Sequence, residues 1–373
     1  MRPEVAAAMV EASQICVDMA ELQAIASARI AAVTGAEAGY VASGAAACLT
    51  LATAACMTGL DPGAMSRLPD TRGLRNEVVI VRSQRNFYDH AVRAAGARLV
   101  EVGLPDRYAG AGVRDAERWE IEDAITERTA AAFYVADPSA QPSLPEVAAA
   151  AHARGVPVIV DAAAQLPPQT NLRRFIAEGA DLVAFSGGKV IGGPQASGFL
   201  CGRRDLIMAA ALQHLDLDIF WDFWDPPPTL IDKHRLRGLP HTGVGRGCKV
   251  GKEEVVGLLT ALDLFIAEGD AARHARWLMA AREIAEALHG CTGVEAALIG
   301  ADTSDAVPVA RITLRSPAPD ARTVLARLQS ARPSVHLDPT LRDSGVLVAN
   351  PICLRDGEAR LVGAAIRSAV RGA

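Results

Sequence analysis

VPVIVDAAAQLPPQTNLRRFIAEGADLVAFSGGKVIGGPQASGFL, residues 156–200, opens with an apolar, β-branched run that ends on Asp161. A second apolar run, ADLVAF, ends in Ser186, Gly187, Gly188 and Lys189, and RRFIAEG between them has helical spacing and closes on glycine. Strand, helix and strand of these lengths predict neighbouring parallel strands. A parallel sheet offers ligands the carboxyl ends of its strands. Asp161 and Lys189, 28 residues apart, are therefore expected to project into one crevice.

The alternation continues outward in both directions. YVAS, NEVVIVRS (76–83), RLVEVG and AAFYVAD read as strands, with SGFLCG after the lysine. HAVRAAGA, AERWEIEDAITERTA and PEVAAAAHARG read as helices, and AAACLTLATAACMTG predicts a helix from just after Ser43-Gly44 to Gly59. Residues 4–33 carry apolar positions at helical spacing. Past residue 205 the pattern changes: HLDLDIFWDFWDPPP reads as an irregular loop or flap, with Trp221, Phe223 and Trp224 walling the mouth of a site. KEEVVGLLTALDLFIAEGD (252–270) predicts a long helix. Beyond it, two helices and the strands PVARITLR and GVLVAN indicate a smaller α+β domain. The expected organisation is an N-terminal helical segment (1–30), a large α/β domain (31–250), and a linking helix with a small domain (251–373).

Composition narrows the function. The chain has 373 residues, half of them apolar, enough for one large core or two smaller ones. A net charge of −5 supplies no general basic field for gripping nucleic acid by its phosphates. No run of about 18 apolar residues marks a membrane span, and MRPEVAAAMVEAS lacks the basic start of a signal peptide, so the chain reads as cytoplasmic. Seven scattered cysteines, with no CxxC and no histidine at ligand spacing, predict no metal site and mostly reduced, packed thiols.

Ser43-Gly44, at a strand-to-helix junction, offers backbone N–H groups to an anion. Asp161 alone could equally cap the next helix, and Lys189 alone could be a solvated lysine in a glycine turn. Together, a phosphate cradle, a buried carboxylate and a lysine are what pyridoxal phosphate requires, for its phosphate, its ring nitrogen and its aldehyde. On that reading the glycines beside Lys189 let a flat cofactor lie close to backbone.

These motifs carry a resemblance. VIVDAAAQLPP, SGGKVIGGPQASG, GAEAGYVASGAAA and HTGVGRGCKVGKEEVVGLLTAL resemble the fold-type-I pyridoxal-phosphate enzymes related to selenocysteine synthase, L-seryl-tRNA(Sec) selenium transferase, within them the branch of D-glucosaminate-6-phosphate ammonia-lyase. The resemblance implies an aspartate-aminotransferase-like large domain with a mainly parallel seven-stranded sheet. It implies Lys189 as Schiff-base lysine, Asp161 as partner of the pyridine nitrogen, and Ser43, Gly44, Ala45 and Ser186 as phosphate contacts. Gln165 would stand near the cofactor hydroxyl, and His90, in RNFYDH, would stack on the ring in preference to Asn86 or Tyr88, unless Asp89-His90 is a plain helix cap. Arg246 and Lys249 would reach a cofactor or substrate phosphate, or else begin a solvated helix, and Arg355 would grip a substrate carboxylate. Active sites at the interface of a homodimer, or of a higher assembly, are also implied. Members of the branch carry a short segment with Asn, Gly and Thr ahead of the residues matching RPEV, so either a start upstream of Met1 or a differently built substrate pocket is expected.

The function expected is a pyridoxal-phosphate lyase that eliminates across the α and β carbons of a small, phosphorylated or hydroxylated amino acid. Aminotransferase, racemase or aldolase chemistry on the same scaffold is the alternative, as is selenium transfer on seryl-tRNA, which lacks a basic surface or extra N-terminal domain to support it. A catalytically idle binding homologue is the alternative outside enzymes. A dinucleotide-binding enzyme is disfavoured, since no GxGxxG follows the early strands.

Overall fold

The computed structural model describes residues 1–104 and 115–372. The chain divides into two compact units, Met1–Leu166 with Thr170–Ile266, and Pro167–Gln169 with the residues from Ala267 on. In the first, helices α1 (Pro3–Ser13) and α2 (Met19–Thr34) lead into strand β1 (Ala38–Ala42), then α3 (Ala45–Thr58) and α4 (Pro62–Arg67). β2 (Glu77–Val81), α5 (His90–Ala94), β3 (Arg98–Val102), α6 (Arg118–Ala124), β4 (Thr129–Val135) and α7 (Leu144–Ala153) follow. β5 (Val158–Asp161), α8 (Asn171–Ala177), β6 (Leu182–Ser186), β7 (Gly198–Gly202), α9 (Arg204–His214) and the first half of α10 (Lys252–Ala287) complete it.

The sheet order is β1-β7-β6-β5-β4-β2-β3. β2 to β6 pair in parallel, while β7 is antiparallel to both its neighbours, β1 and β6. The expected mainly parallel seven-stranded sheet is therefore present, with one reversed strand. Period-two alternation sorts its side chains into two cores. Tyr40, Ile80, Phe133, Ile159, Ala184 and Leu200 face one core with α3 and α9. Val41, Val79, Tyr134, Val160, Phe185 and Phe199 face the other with α2, α7, α8 and α10. Asp161 and Ser186 have the parity of Ile159 and Ala184, which aims them at the face covered by α3.

The sequence reading missed α9. RDLIMAAALQH is buried almost all round, so it lacks the polar stripe by which a surface helix is read. It also took HLDLDIFWDFWDPPP for the wall of a site. Trp224 instead lies in the core, 7% exposed, while Phe220 and Phe223 are 80% exposed. The Lys233 ammonium donates to the carbonyls of Trp221 and Trp224 and sits over the Trp221 ring, which fastens the loop from below.

In the second unit β8 (Val294–Ile299), β9 (Val309–Leu314) and β10 (Val346–Ala349) form an antiparallel sheet ordered β10-β9-β8. α11 (Ala321–Ser330), α12 (Glu358–Arg371) and the end of α10 pack Ile284, Val324, Leu328 and Ile366 against Ile312 and Leu347. β8 went unread: its apolar AALI is short, and its residues alternate between half-buried and exposed instead of lying in the core. α10 is kinked at Gly269, with φ 71° and ψ 163°, a conformation essentially confined to glycine. Arg273 bonds Asp270 just past the kink, and Arg276 pairs with Glu268 across it.

Candidate active site

Because β5 and β6 are paired neighbours, with Asp161 opposite Ala184, the carboxyl ends of both strands meet one edge of the sheet. Asp161 is 8% exposed. One carboxylate oxygen accepts the Ala163 N–H, at 3.0 Å. Burial raises its pKa, against the pull of that N–H and of the Lys189 charge. A buried carboxylate so placed is short of positive charge. The helix-cap alternative is excluded, since the next helix starts only at Asn171.

Lys189 stands beyond β6 in a loop closed by Gly187 N–H to Ser197 O, Gly193 N–H to Gly187 O and Gly192 N–H to Lys189 O. Its side chain is exposed, and among the described residues its ammonium has no hydrogen bond or ion pair. The glycines beside it have a purpose other than the one expected. A Cβ on Gly187 would come within 2.3 Å of Ser197 Oγ and 2.5 Å of Leu258, and one on Gly188 within 2.9 Å of Gln195 Cα. They make room for the chain's own returning segment, which carries the loop to β7.

The carboxyl end of β1 delivers Ser43 and Gly44 to the same edge. Gly44, with φ 124°, is the N-cap of α3, and no side chain caps that helix. The N–H groups of Ala45, Ala46 and Ala47 therefore have no intrahelical acceptor and point out of the first turn, where an anion is favoured. Close approach of β7 fixes this turn: a Cβ on Gly198 would meet Ala45 N and Gly44 C at 2.6 Å each. Ser43 Oγ donates its single proton to Cys248 O at 2.8 Å, so in this arrangement the backbone amides, not the hydroxyl, face an anion.

Of the other residues expected at the site, Gln165 is half-buried and donates its Nε2 to Ala136 O at 2.6 Å, tying the segment after β5 to that after β4. His90 is exposed and shares its Nδ1 with Arg93 at 2.9 Å. The cap reading of Asp89 fails, because its buried carboxylate is paired with Arg85 and Arg93 and makes no cap hydrogen bond. Arg246 lies in the 3₁₀ turn Val244–Cys248 and pairs with Asp216 at 2.7 Å. Lys249, which follows that turn, is exposed with no partner among the described residues. Arg355 belongs to the second unit, where its exposed side chain borders a 230 Å³ cavity with Arg276, Trp277 and Glu283.

Two residues went unread in the sequence. Gln84, in the 3₁₀ turn just past the carboxyl end of β2, accepts the Val135 N–H with its Oε1 at 3.0 Å, and its buried Nε2 has no partner among the described residues. Its place just past an apolar strand was the available signal. His214 ends α9 and reaches Cys248 O at 2.8 Å; with its helix unread it gave no signal at all. Among the described residues no cluster of His, Cys, Asp or Glu could hold a metal, and no helix is long and apolar enough to cross a membrane.

These residues fit pyridoxal phosphate. An uncapped helix terminus suits its phosphate, a charge-starved carboxylate suits its protonated ring nitrogen, and an unpartnered amine suits its aldehyde.

Comparison with known proteins identifies the family. The model of the L-seryl-tRNA selenium transferase family matches residues 19–218. The chain is 32% identical over 368 residues to 5'-C-glycyluridine monooxygenase-decarboxylase of Streptomyces sp., covering 95% of this chain and 82% of that protein. It is 30% identical over 319 residues to D-glucosaminate-6-phosphate ammonia lyase of Salmonella typhimurium, covering 82% and 74%. A solved structure of D-glucosaminate-6-phosphate ammonia-lyase superposes with a TM-score of 0.79 at 28% identity, over 100% of this chain and 92% of that one.

Proposed function

The chain belongs to the L-seryl-tRNA selenium transferase family of fold-type-I enzymes, and from that premise we propose that it is a pyridoxal-phosphate-dependent lyase releasing ammonia from a small, hydroxylated or phosphorylated amino acid. The observation that carries the reading is the convergence of Asp161, Lys189 and the open first turn of α3 on one sheet edge. Bound pyridoxal phosphate would supply an aldehyde that condenses with amines and a protonated ring that accepts the electron pair left at Cα.

Asp161 holds the proton on the ring nitrogen, and its burial strengthens that ion pair. Lys189, exposed and unpartnered, takes the proton from Cα onto Nζ. The amides of Ala45 to Ala47 hold the phosphate, with Gly44 and Ser43 shaping the approach and Ser186 beside it. Gln165 and His90 border the ring, Arg246 and Lys249 serve a phosphate, and Arg355 serves the substrate carboxylate. The balanced outcome is a β-hydroxy-α-amino acid converted to a 2-oxo acid and ammonia, the water lost from Cβ being returned on hydrolysis of the imine. The protein works as a homodimer.

A second reading, oxygen-dependent decarboxylation of an amino acid joined to a larger group, is favoured by the 95% coverage and 32% identity to the monooxygenase-decarboxylase. One experiment separates the two. Purified protein is reconstituted with pyridoxal phosphate, its visible absorbance is compared with that of Lys189→Ala, and candidate amino acids are assayed for ammonia, carbon dioxide and oxygen uptake. Ammonia and 2-oxo acid without oxygen uptake support the lyase; carbon dioxide with oxygen uptake supports the second reading. Absence of a cofactor band that depends on Lys189 overturns both.

A further inference from the structure

His214 is 4% exposed and Tyr40 fully buried, their rings edge to face at 5.3 Å. Each ring nitrogen of His214 has one partner at 2.8 Å, Nδ1 with Tyr40 Oη and Nε2 with Cys248 O. A carbonyl only accepts, so Nε2 carries the proton, Nδ1 is the acceptor and Tyr40 donates to it. Cys248 O thus receives two protons, one from His214 and one from Ser43 Oγ.

The turn that ends at Cys248 is seated on the end of α9 in other ways as well. Gln213, fully buried, accepts the Val244 N–H with its Oε1 at 3.2 Å. Cβ atoms on Gly243 and Gly245 would meet Gln213 O at 2.5 and 2.9 Å, and one on Gly245 would lie 2.3 Å from Leu51 of α3. The turn bearing Arg246, and leading to Lys249, is therefore pressed between the end of α9 and the helix whose first turn is open.

We propose that His214 is a positioning residue of the phosphate subsite, holding the Cys248 carbonyl so that the Ser43 hydroxyl can be released to a bound phosphate. This rests on the reading of the α3 terminus as the cofactor's phosphate cradle. Without a second donor, Ser43 could turn to a phosphate only by stranding a half-buried carbonyl, which works against binding. With His214 in place the carbonyl keeps one partner throughout, and the turn that bears Arg246 stays in register with the cradle. Tyr40 acts one step further back, since its donation fixes the tautomer in which Nε2 bears hydrogen.

The test uses the ratio of affinities for pyridoxal phosphate and pyridoxal, read by fluorescence titration of the purified full-length chain. His214→Asn keeps an amide beside Tyr40 but is too short to reach Cys248 O, whereas His214→Gln extends to it. The expected result is a loss of about tenfold in phosphate preference for His214→Asn, equivalent to about 1.4 kcal/mol, and a loss below about twofold for His214→Gln. In a Ser43→Ala background His214→Asn should cost little further preference, because no hydroxyl remains to be released. Equal losses in both backgrounds, or none in either, overturn the inference; a purely structural role would lower both affinities together and leave the ratio unmoved. Should His214→Asn fail to fold, Ser43→Ala still puts the inference at risk: with His214 present, removal of the hydroxyl must lower phosphate preference, and an unchanged preference overturns it. An unsubstituted protein with no preference for pyridoxal phosphate over pyridoxal would overturn the cradle reading itself, an outcome distinct from a preference that His214→Asn leaves intact.

Discussion

At the scale of single residues, Asp161 and Lys189 divide the work between burial and exposure. The raised pKa of Asp161 means that its charged form is held at a cost in the cofactor-free protein. The sign follows: this cost is absent below the ordinary carboxylate pKa and grows as pH rises through the higher folded value. Asp161→Asn is accordingly expected to raise the melting temperature of cofactor-free protein at neutral pH while lowering turnover by about 10²-fold or more, which corresponds to about 2.7 kcal/mol at the transition state. Calorimetry and steady-state kinetics on the same preparation check the pair. His214 carries the opposite sign. Burial, reinforced by the Arg246 charge, lowers its pKa against the pull of Cys248 O, so stability is full above the unfolded value of about 6.5 and is lost as pH falls below it. Denaturant titrations between pH 5 and 8 should show a slope on the acid side that His214→Gln reduces; an unchanged slope would place the proton uptake elsewhere.

At the scale of elements, the contact of β7 with the first turn of α3 is a close backbone-to-backbone constraint on the site. Gly198→Ala would drive a methyl group into Ala45 N and Gly44 C, and two backbone atoms cannot swing aside as a side chain can. A cost of about 1–3 kcal/mol in stability is expected, together with weaker binding of pyridoxal phosphate than of pyridoxal, measured by chemical denaturation and by titration. In the second unit, Gly269→Ala tests the kink of α10: no side-chain-bearing residue in the described chain has a positive φ. A loss of about 1–3 kcal/mol is expected there as well. The two helices that flank the cradle were not equally legible. α3 announced itself through Ser43-Gly44 and Gly59, whereas α9, equally buried, had neither an N-cap side chain nor a closing glycine.

At the scale of the molecule, both faces of the sheet are covered, so the exposed edge formed by the strand ends is where a ligand finds polar groups and free N–H donors together. The proposal that the enzyme works as a homodimer belongs at this scale. Sedimentation equilibrium is expected to give twice the 39.1 kDa chain mass, and mixing a Lys189→Ala chain with an intact one would report whether each site draws on both chains. A monomeric mass with full activity would remove the dimer from the mechanism. The second unit, with its own core and three-stranded sheet, contributes Arg355 only as a proposal. Arg355→Ala is expected to raise KM for the amino acid by about tenfold with little change in kcat, the pattern of a lost ground-state contact.

What the sequence determined by itself was local or periodic. Apolar β-branched runs separated by short helices specified parallel neighbours, and the length between Asp161 and Lys189 specified that β5 and β6 would be adjacent, because one helix and one strand fill that gap. The open start of α3 was legible because glycine and serine at a strand-to-helix junction leave backbone donors free. Tertiary structure decided what depends on two segments distant in the chain. The glycines at 187 and 188 look like room for a ligand until residues 195–197 and Leu258 fill the space. Ser43 looks like a ready phosphate donor, but its proton lies on the carbonyl of Cys248, 205 residues later, and would have to be released from there. His214 and Tyr40 have no sequence pattern in common, since a hydrogen bond between side chains 174 residues apart is set by the pairing of β1 with β7 and the packing of α9 over both, and no local spacing encodes it.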